Sequence, residues 1–418
     1  MRPAGLLPAV VAAVSFWSDP AAAQVDTTRI RVEPPPRADS AGATTDSIGA
    51  ALAQTGIYDR PFIGSLSSTS IGGYVEGNTN YFVEDGVSEG FSMELRRFNV
   101  FLFSQISQHV RFLSELEFEH GTEEIALETA LIDIQVRPAL TLRAGVILPP
   151  IGYFNQNHDS PRWDFVERPL VSATLIPSTL SEVGGGLLGR VPVGGGVVSY
   201  DAYLTNGLGD GVVENALGRT DIPSGKSGDQ LSEDNNGSPA LSGRVAFRRQ
   251  TWGEVGISYY GAHYNSFRVE GEEVDHRRWV GISALDIGTS LGGVSLRGEV
   301  AHATIDVPSG LTEIFGDKQW GAHLDVVVPL WRARLFSYDA AILSGALRLE
   351  RVDYNVGTFA STGAGIGDEV TALVVGVAFR PGPGTVLRAN YRRHWTRDFA
   401  RNPTSHLGGF QLGFATYF

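Results

Sequence analysis

The pattern that most constrains this chain is an alternation of apolar and polar residues with period two. It recurs from about residue 69 to residue 418 and never gives way to helical spacing. Ile132, Ile134 and Val136 alternate with Asp133, Gln135 and Arg137. Leu140, Leu142, Ala144 and Val146 alternate with Thr141 and Arg143. Phe112, Leu116 and Phe118 alternate with Arg111, Glu115, Glu117 and Glu119, and Val198, Tyr200, Ala202 and Leu204 with Ser199, Asp201 and Tyr203. Successive side chains of a strand point to opposite faces, so each segment has one oily and one charged side. A soluble sandwich alternates in the same way, so the connections must decide between the two architectures.

Sixteen strands are predicted, near 70–82, 91–106, 109–120, 125–137, 140–148, 183–193, 196–206, 240–249, 253–263, 276–289, 292–304, 319–329, 340–352, 368–380, 384–395 and 408–418. On one side the connections are tight: Ser107-Gln108, Pro138-Ala139, Gly194-Gly195, Gln250 to Trp252, Leu291, and Pro381 to Pro383. Only 330–339 is longer there. On the other side they range up to the long stretches 149–182 and 207–239. Short turns alternating with long loops is the construction of outer-membrane barrels, and an even strand count leaves both ends on the periplasmic side. The predicted fold is all-β, a transmembrane antiparallel β-barrel of about 16 strands covering 69–418.

Composition narrows the function. No internal apolar run approaches the ~18 residues of a membrane helix, so any membrane crossing must be made by strands. The 418 residues hold no cysteine, which excludes disulfide scaffolds, thiolate metal sites and cysteine nucleophiles. A net charge of -13 argues against nucleic acid as a partner. At the N-terminus, Arg2, the apolar stretch Leu6 to Val14, and Ala21-Ala22-Ala23 have the layout of a signal peptide over 1–23. Residues 24–68, with Pro34-Pro35-Pro36 and no apolar period, read as a flexible periplasmic extension.

With the oily stripe facing outer-membrane lipid, the other stripe must line a lumen. The inward charges are then Arg111, Glu115, Glu117, Asp133, Arg137, Arg143, Asp201, Arg244, Arg248, Arg297, Glu299, Asp325, Arg348, Glu350, Arg388 and Arg392. A midplane arginine against lipid would cost about 2–4 kcal/mol, which settles the direction. A barrel this wide cannot be filled by side chains, so polar lining implies water. Arginines outnumber acids in this set. They either lower the barrier for anions or pair with carboxylates to brace the wall, and Asp164, Glu167, Glu270, Glu272, Glu273 and Asp275 could instead favour cations at the mouth. Trp252 and Trp331 fall at short turns, and Trp279, Trp320 and Trp395 beside long loops, as two interfacial girdles require. In the last segment Phe410, Leu412, Phe414, Thr416 and Phe418 form an outward stripe. That ending resembles the C-terminal strand of bacterial outer-membrane proteins, whose assembly machinery reads a terminal aromatic.

A second resemblance covers roughly 91–190. Arg96-Arg97 in an early strand, an acidic strand after it, Leu142-Arg143-Ala144-Gly145 leading into Pro149-Pro150-Ile151-Gly152, and Arg168-Pro169-Leu170 followed by Gly184-Gly185-Gly186-Leu187 resemble the phosphate-selective porin O/P family. The resemblance implies a homotrimeric porin whose third external loop folds inward and narrows the channel. Arg162, Asp164, Glu167 and Arg168 are the constriction candidates it implies, with Arg111, Glu115, Glu117, Arg143, Arg297, Arg348, Arg388 and Arg392 lining the lumen. The family's lysine-rich entrance is missing: only Lys226 and Lys318 are lysine.

Three other signals are weaker. Gly184 to Gly189 fits a dinucleotide glycine pattern but lacks the helix and parallel sheet that the pattern needs. His158-Asp159-Ser160 would have to make a triad from adjacent residues. Asp234-Asn235-Asn236-Gly237 lacks the ligand ladder of a calcium loop. The expected function is passive diffusion of small hydrophilic solutes, including anions such as phosphate, with no cofactor and no catalysis. The rival readings are a non-conducting barrel with an adhesive or structural role, and an outer-membrane hydrolase.

Overall fold

The computed structural model describes residues 64–66, 69–226, 231–335 and 338–418. The expected signal peptide and nearly all of the 24–68 extension lie outside the described residues. Sixteen strands make the barrel: β1 (Thr69–Glu84), β2 (Phe91–Gln105), β3 (Val110–Glu119), β4 (Glu124–Arg137), β5 (Leu140–Ile147), β6 (Glu182–Val193), β7 (Gly196–Thr205), β8 (Ala240–Arg249), β9 (Gly253–His263), β10 (Trp279–Leu291), β11 (Val294–Ile305), β12 (Lys318–Leu335), β13 (Tyr338–Asp353), β14 (Glu369–Gly382), β15 (Thr385–Arg397) and β16 (Ser405–Tyr417). Each pairs antiparallel with the next, and β16 returns to β1 in register from Leu407↔Glu84 to Tyr417↔Tyr74. Closure leaves no unpaired edge, the condition for crossing lipid with strands. The closed sixteen-strand barrel is as the alternation predicts.

The side chains sort as the period requires. Phe410, Leu412 and Phe414 stand 64, 54 and 42% exposed on β16, while Gln411 between them is 1% exposed. Ile132, Ile134 and Val136 are turned out on β4, and Asp133 is fully buried behind them. The β16–β1 seam is sealed by ring over glycine. A Cβ at Gly77 would strike the Phe414 ring, and one at Gly73 the Phe418 ring, so only glycine lets the rings lie on the β1 backbone. Phe418 also stacks on Phe98, centroids 5.5 Å apart. A three-residue strand, Gly64–Leu66, pairs with the start of β1.

Two bulges break the alternation where the charges gather. Opposite Glu76 and Gly77 on β1, β2 carries one extra residue, Arg96. Opposite Glu115 and Leu116 on β3, β4 carries an extra Glu128. A bulge lets two consecutive side chains share a face, and so Arg96 joins Arg97, and Glu128 joins Thr129, on the inner side. A further shift between Pro329 and Trp331 carries β12 past a proline that cannot donate to the ladder. The 330–339 stretch, expected as a longer turn, is therefore mostly strand.

One long loop connects β5 to β6. It contains a short helix, α1 (Leu170–Thr174), and carries Ile151, Leu175 and Ile176 into an apolar cluster. Leu208, Val212 and Ile222 of the next long loop, with Tyr260, Val280, Ile282 and Ala303 of β9 to β11, complete that cluster.

Candidate functional site

The β5–β6 loop is held by polar bonds to inner-face side chains of strands all round the barrel. Gly152 N donates to Ser258 Oγ on β9 (2.8 Å) and Tyr153 N to Glu299 Oε2 on β11 (2.7 Å). Leu170 N donates to Glu350 Oε1 on β13 (2.7 Å) and Val166 N to Asn390 Oδ1 on β15 (2.8 Å). Arg388 donates to the carbonyls of Phe165 and Ser160 and to Ser160 Oγ, and also reaches Glu76 Oε1 at 3.1 Å. The loop's own donors and the wall's acceptors thus satisfy one another in place of water.

Of the four loop residues expected at a constriction, Arg162, Asp164 and Glu167 are engaged in this anchoring, while Arg168 makes its contacts within the loop. Arg162 Nε donates to the Tyr417 hydroxyl (3.1 Å), and Asp164 pairs with Arg380 at 3.0 Å. Glu167 pairs with Arg96 at 2.7 Å and accepts from Gln411 at 2.9 Å. Burial pushes the Glu167 carboxyl up, but the Arg96 guanidinium outweighs it and holds the group at about 2. Arg168 lies over the Phe154 ring at 5.8 Å and donates to Ser178 O at 3.4 Å.

Most of the expected lumen arginines bond to carboxylates. Arg348 is fully buried and forked onto Asp325 at 2.6 and 2.8 Å, with Phe165 beneath it at 4.2 Å. Arg143 is forked onto Asp133 at 2.8 Å on both arms, and Arg392 reaches Glu350 at 3.4 Å. Arg111 stands opposite Asp133 across the β3–β4 ladder. Glu115 and Glu117 share the Asn99 amide, at 2.8 and 3.3 Å. Arg297 differs. It lies over the rings of both Tyr153 (4.9 Å) and Trp163 (4.6 Å) and has no ion pair among the described residues.

Space remains on the other side of the barrel. A polar cleft lies between Tyr153, Gln156 and Asn157 of the loop and the wall of β5 to β9. Arg143, Arg190, Arg244 and Arg248 line it, with Asp201 and Glu254 as its acids. Arg244 is split between Glu254 (2.9 Å) and Asp286 (2.5 Å), and Arg248 pairs with Glu254 at 2.8 Å. Of the twelve site residues expected from sequence, Arg143 alone is in this lining. Arg190 was missed, although its period-two offset from the outward Leu187 places it inward.

His158 and Ser160 are not brought together as a base and nucleophile. His158 Nε2 faces Glu128 at 3.1 Å, while Ser160 Oγ accepts from Arg388 at 2.9 Å. Gly184 and Gly186 sit in a strand pair, where a Cβ would collide with the β7 carbonyls of Leu204 and Ala202.

Comparison with known proteins agrees with this architecture. The anion-selective porin from Comamonas acidovorans superposes with a TM-score of 0.53 at 13% identity, over 84% of this chain and 99% of that one. The fold is the porin fold. OmpF of Salmonella typhi, in complex with daunomycin, gives 0.51 at 10% identity over 84% and 97%. In-vitro-folded OmpT of Vibrio cholerae, an outer membrane protein in its trimer form, gives 0.51 at 11% over 84% and 100%. An uncharacterized protein of Aquifex aeolicus (strain VF5) is 26% identical over 353 residues, 79% of this chain and 76% of its own length. No family model matches the chain, so the resemblance to the phosphate-selective porin O/P family rests on the motifs quoted above.

Proposed function

We propose that this chain is an outer-membrane porin that admits small hydrophilic solutes through the polar cleft between its third loop and the β5–β9 wall. The observation that carries this reading is the cleft itself, a charged opening inside a cylinder whose outer face is apolar. The loop that frames it is fixed by direct hydrogen bonds to the opposite wall. Four arginines against two acids in the lining, with Arg297, which has no ion pair among the described residues, stacked nearby, support a preference for anions. The anion-selective Comamonas porin and the O/P resemblance point the same way, and the trimer form of OmpT supports a homotrimer in the outer membrane. Passage is diffusion: the lining charges replace part of a solute's hydration shell, and no catalytic step is involved.

Planar-bilayer recordings in a salt gradient test the reading. The wild type is expected to conduct with a reversal potential of anion-selective sign. Arg248→Gln and Arg297→Gln together should move that potential toward zero while leaving the channel open. A second reading, a barrel without useful conductance, draws support from the apolar cluster joining the two longest loops. Silent bilayers with folded protein would favour it.

A further inference from the structure

The loop meets the β3–β4 wall at His158, which is wholly buried. Its Nδ1 lies 2.9 Å from the carbonyl oxygen of Asn155. A carbonyl can only accept, so Nδ1 carries the hydrogen and the tautomer is fixed. Nε2 then faces carboxylates, with Glu128 Oε2 at 3.1 Å and Glu115 Oε1 at 4.0 Å. A bare lone pair aimed at carboxylate oxygens is repelled, so Nε2 must hold either a proton or a cation.

The surrounding charge favours the cation. Glu115, His158 and Asp159 bring ligand atoms within 4.8 Å of one another, all buried. Arg97 divides itself among Glu76, Glu117 and Glu119, and Arg162 stands 3.8 Å from Asp159. Lys226 also faces Glu128, Glu119 and Glu117, and together with one imidazolium these cations stay fewer than the carboxylates around them.

Two fully buried polar atoms beside the acids have no hydrogen-bond partner among the described residues. One is Thr129 Oγ1, opposite Glu115 across the ladder. The other is the Tyr74 hydroxyl, which lies in the field of Glu117, Glu128 and Glu115. One imidazole nitrogen with several carboxylate oxygens is a donor set for Zn²⁺ and similar divalent transition ions. A second ring nitrogen bonded to a carbonyl is the usual outer support of such a ligand.

We propose that His158 Nε2, Glu115 and Asp159, with Glu128 beside the imidazole, form a divalent transition-metal site that fastens the third loop to the wall. The wall's share depends on the β4 bulge that turns Glu128 inward, and Thr179 occupies the other Glu128 oxygen at 2.6 Å. The site stands independently of conductance.

The test titrates the full chain in detergent micelles, stripped with EDTA, with Zn²⁺ at neutral pH. Calorimetry should show one Zn²⁺ per chain, and His158→Gln and Glu128→Gln should each weaken it by roughly tenfold or more. The unfolding temperature should rise with Zn²⁺ in the wild type alone. Absence of saturable binding, or equal binding by the variants, would overturn the site and leave His158 as a buried imidazolium. Zinc-edge absorption on the wild type gives a reading that needs no variant: a mixed nitrogen and oxygen shell supports the site, and an oxygen-only shell sinks it.

Discussion

At Glu167 burial and charge pull in opposite directions, and charge wins. Arg96 from β2 bonds the carboxylate, Gln411 from β16 donates to it, and Arg348 from β13 and Arg392 and His394 from β15 face the same place. The carboxyl is held at about 2 against an ordinary 4.5. A depressed carboxyl contributes its stability above the ordinary value and loses it as pH falls through the depressed one. The difference amounts to about 3 kcal/mol of loop docking. Limited proteolysis of the third loop should therefore accelerate between about pH 4.5 and pH 2 in the wild type. Glu167→Gln should be cleaved faster than wild type at pH 7 and show no added acceleration across that window. Equal cleavage of the two at pH 7 would remove Glu167 from the docking role.

Among the elements, β6 shows why glycine was the informative residue. Its Gly184-Gly185-Gly186 run looks like a nucleotide loop by pattern, yet Gly184 and Gly186 stand where β7 comes too close for any Cβ. Gly184→Val should part the β6–β7 ladder and cost about 1–3 kcal/mol, read as a lower unfolding midpoint in urea with folded vesicles. An unchanged midpoint would mean that the two strands can separate without penalty. The arginine pair teaches the opposite lesson. Period two sends Arg96 outward if Arg97 faces in, and only the register shift at Glu76 puts both on the inner face. The alternation is a local rule, and a one-residue bulge between partners is set by the pairing of two strands.

At the scale of the whole molecule, closure depends on the last strand meeting the first. Phe414 and Phe418 cover Gly77 and Gly73 and complete an apolar outer surface that neither strand has alone. Phe418→Ala should remove the stack on Phe98 and weaken the seam by about 1 kcal/mol. The fraction of barrel that resists unfolding in unheated detergent gels would report this. Full resistance in the variant would show that the seam holds by backbone bonds alone.

The sequence by itself determined the sixteen strands, their inward and outward faces and the alternation of short and long connections. Those follow from the two-residue pleat and from the cost of charge in lipid, both readable one segment at a time. Asp133 behind Ile132 and Ile134 was legible for that reason. Only the tertiary structure decided how the inward charges are used. Arg348 meets Asp325, Arg388 meets Glu76, and Arg162, Asp164 and Glu167 bind the wall, so the open cleft falls to Arg190, Arg244 and Arg248. A long loop has no period to read. Where it lies depends on which donors and acceptors of distant strands closure of the cylinder brings within reach.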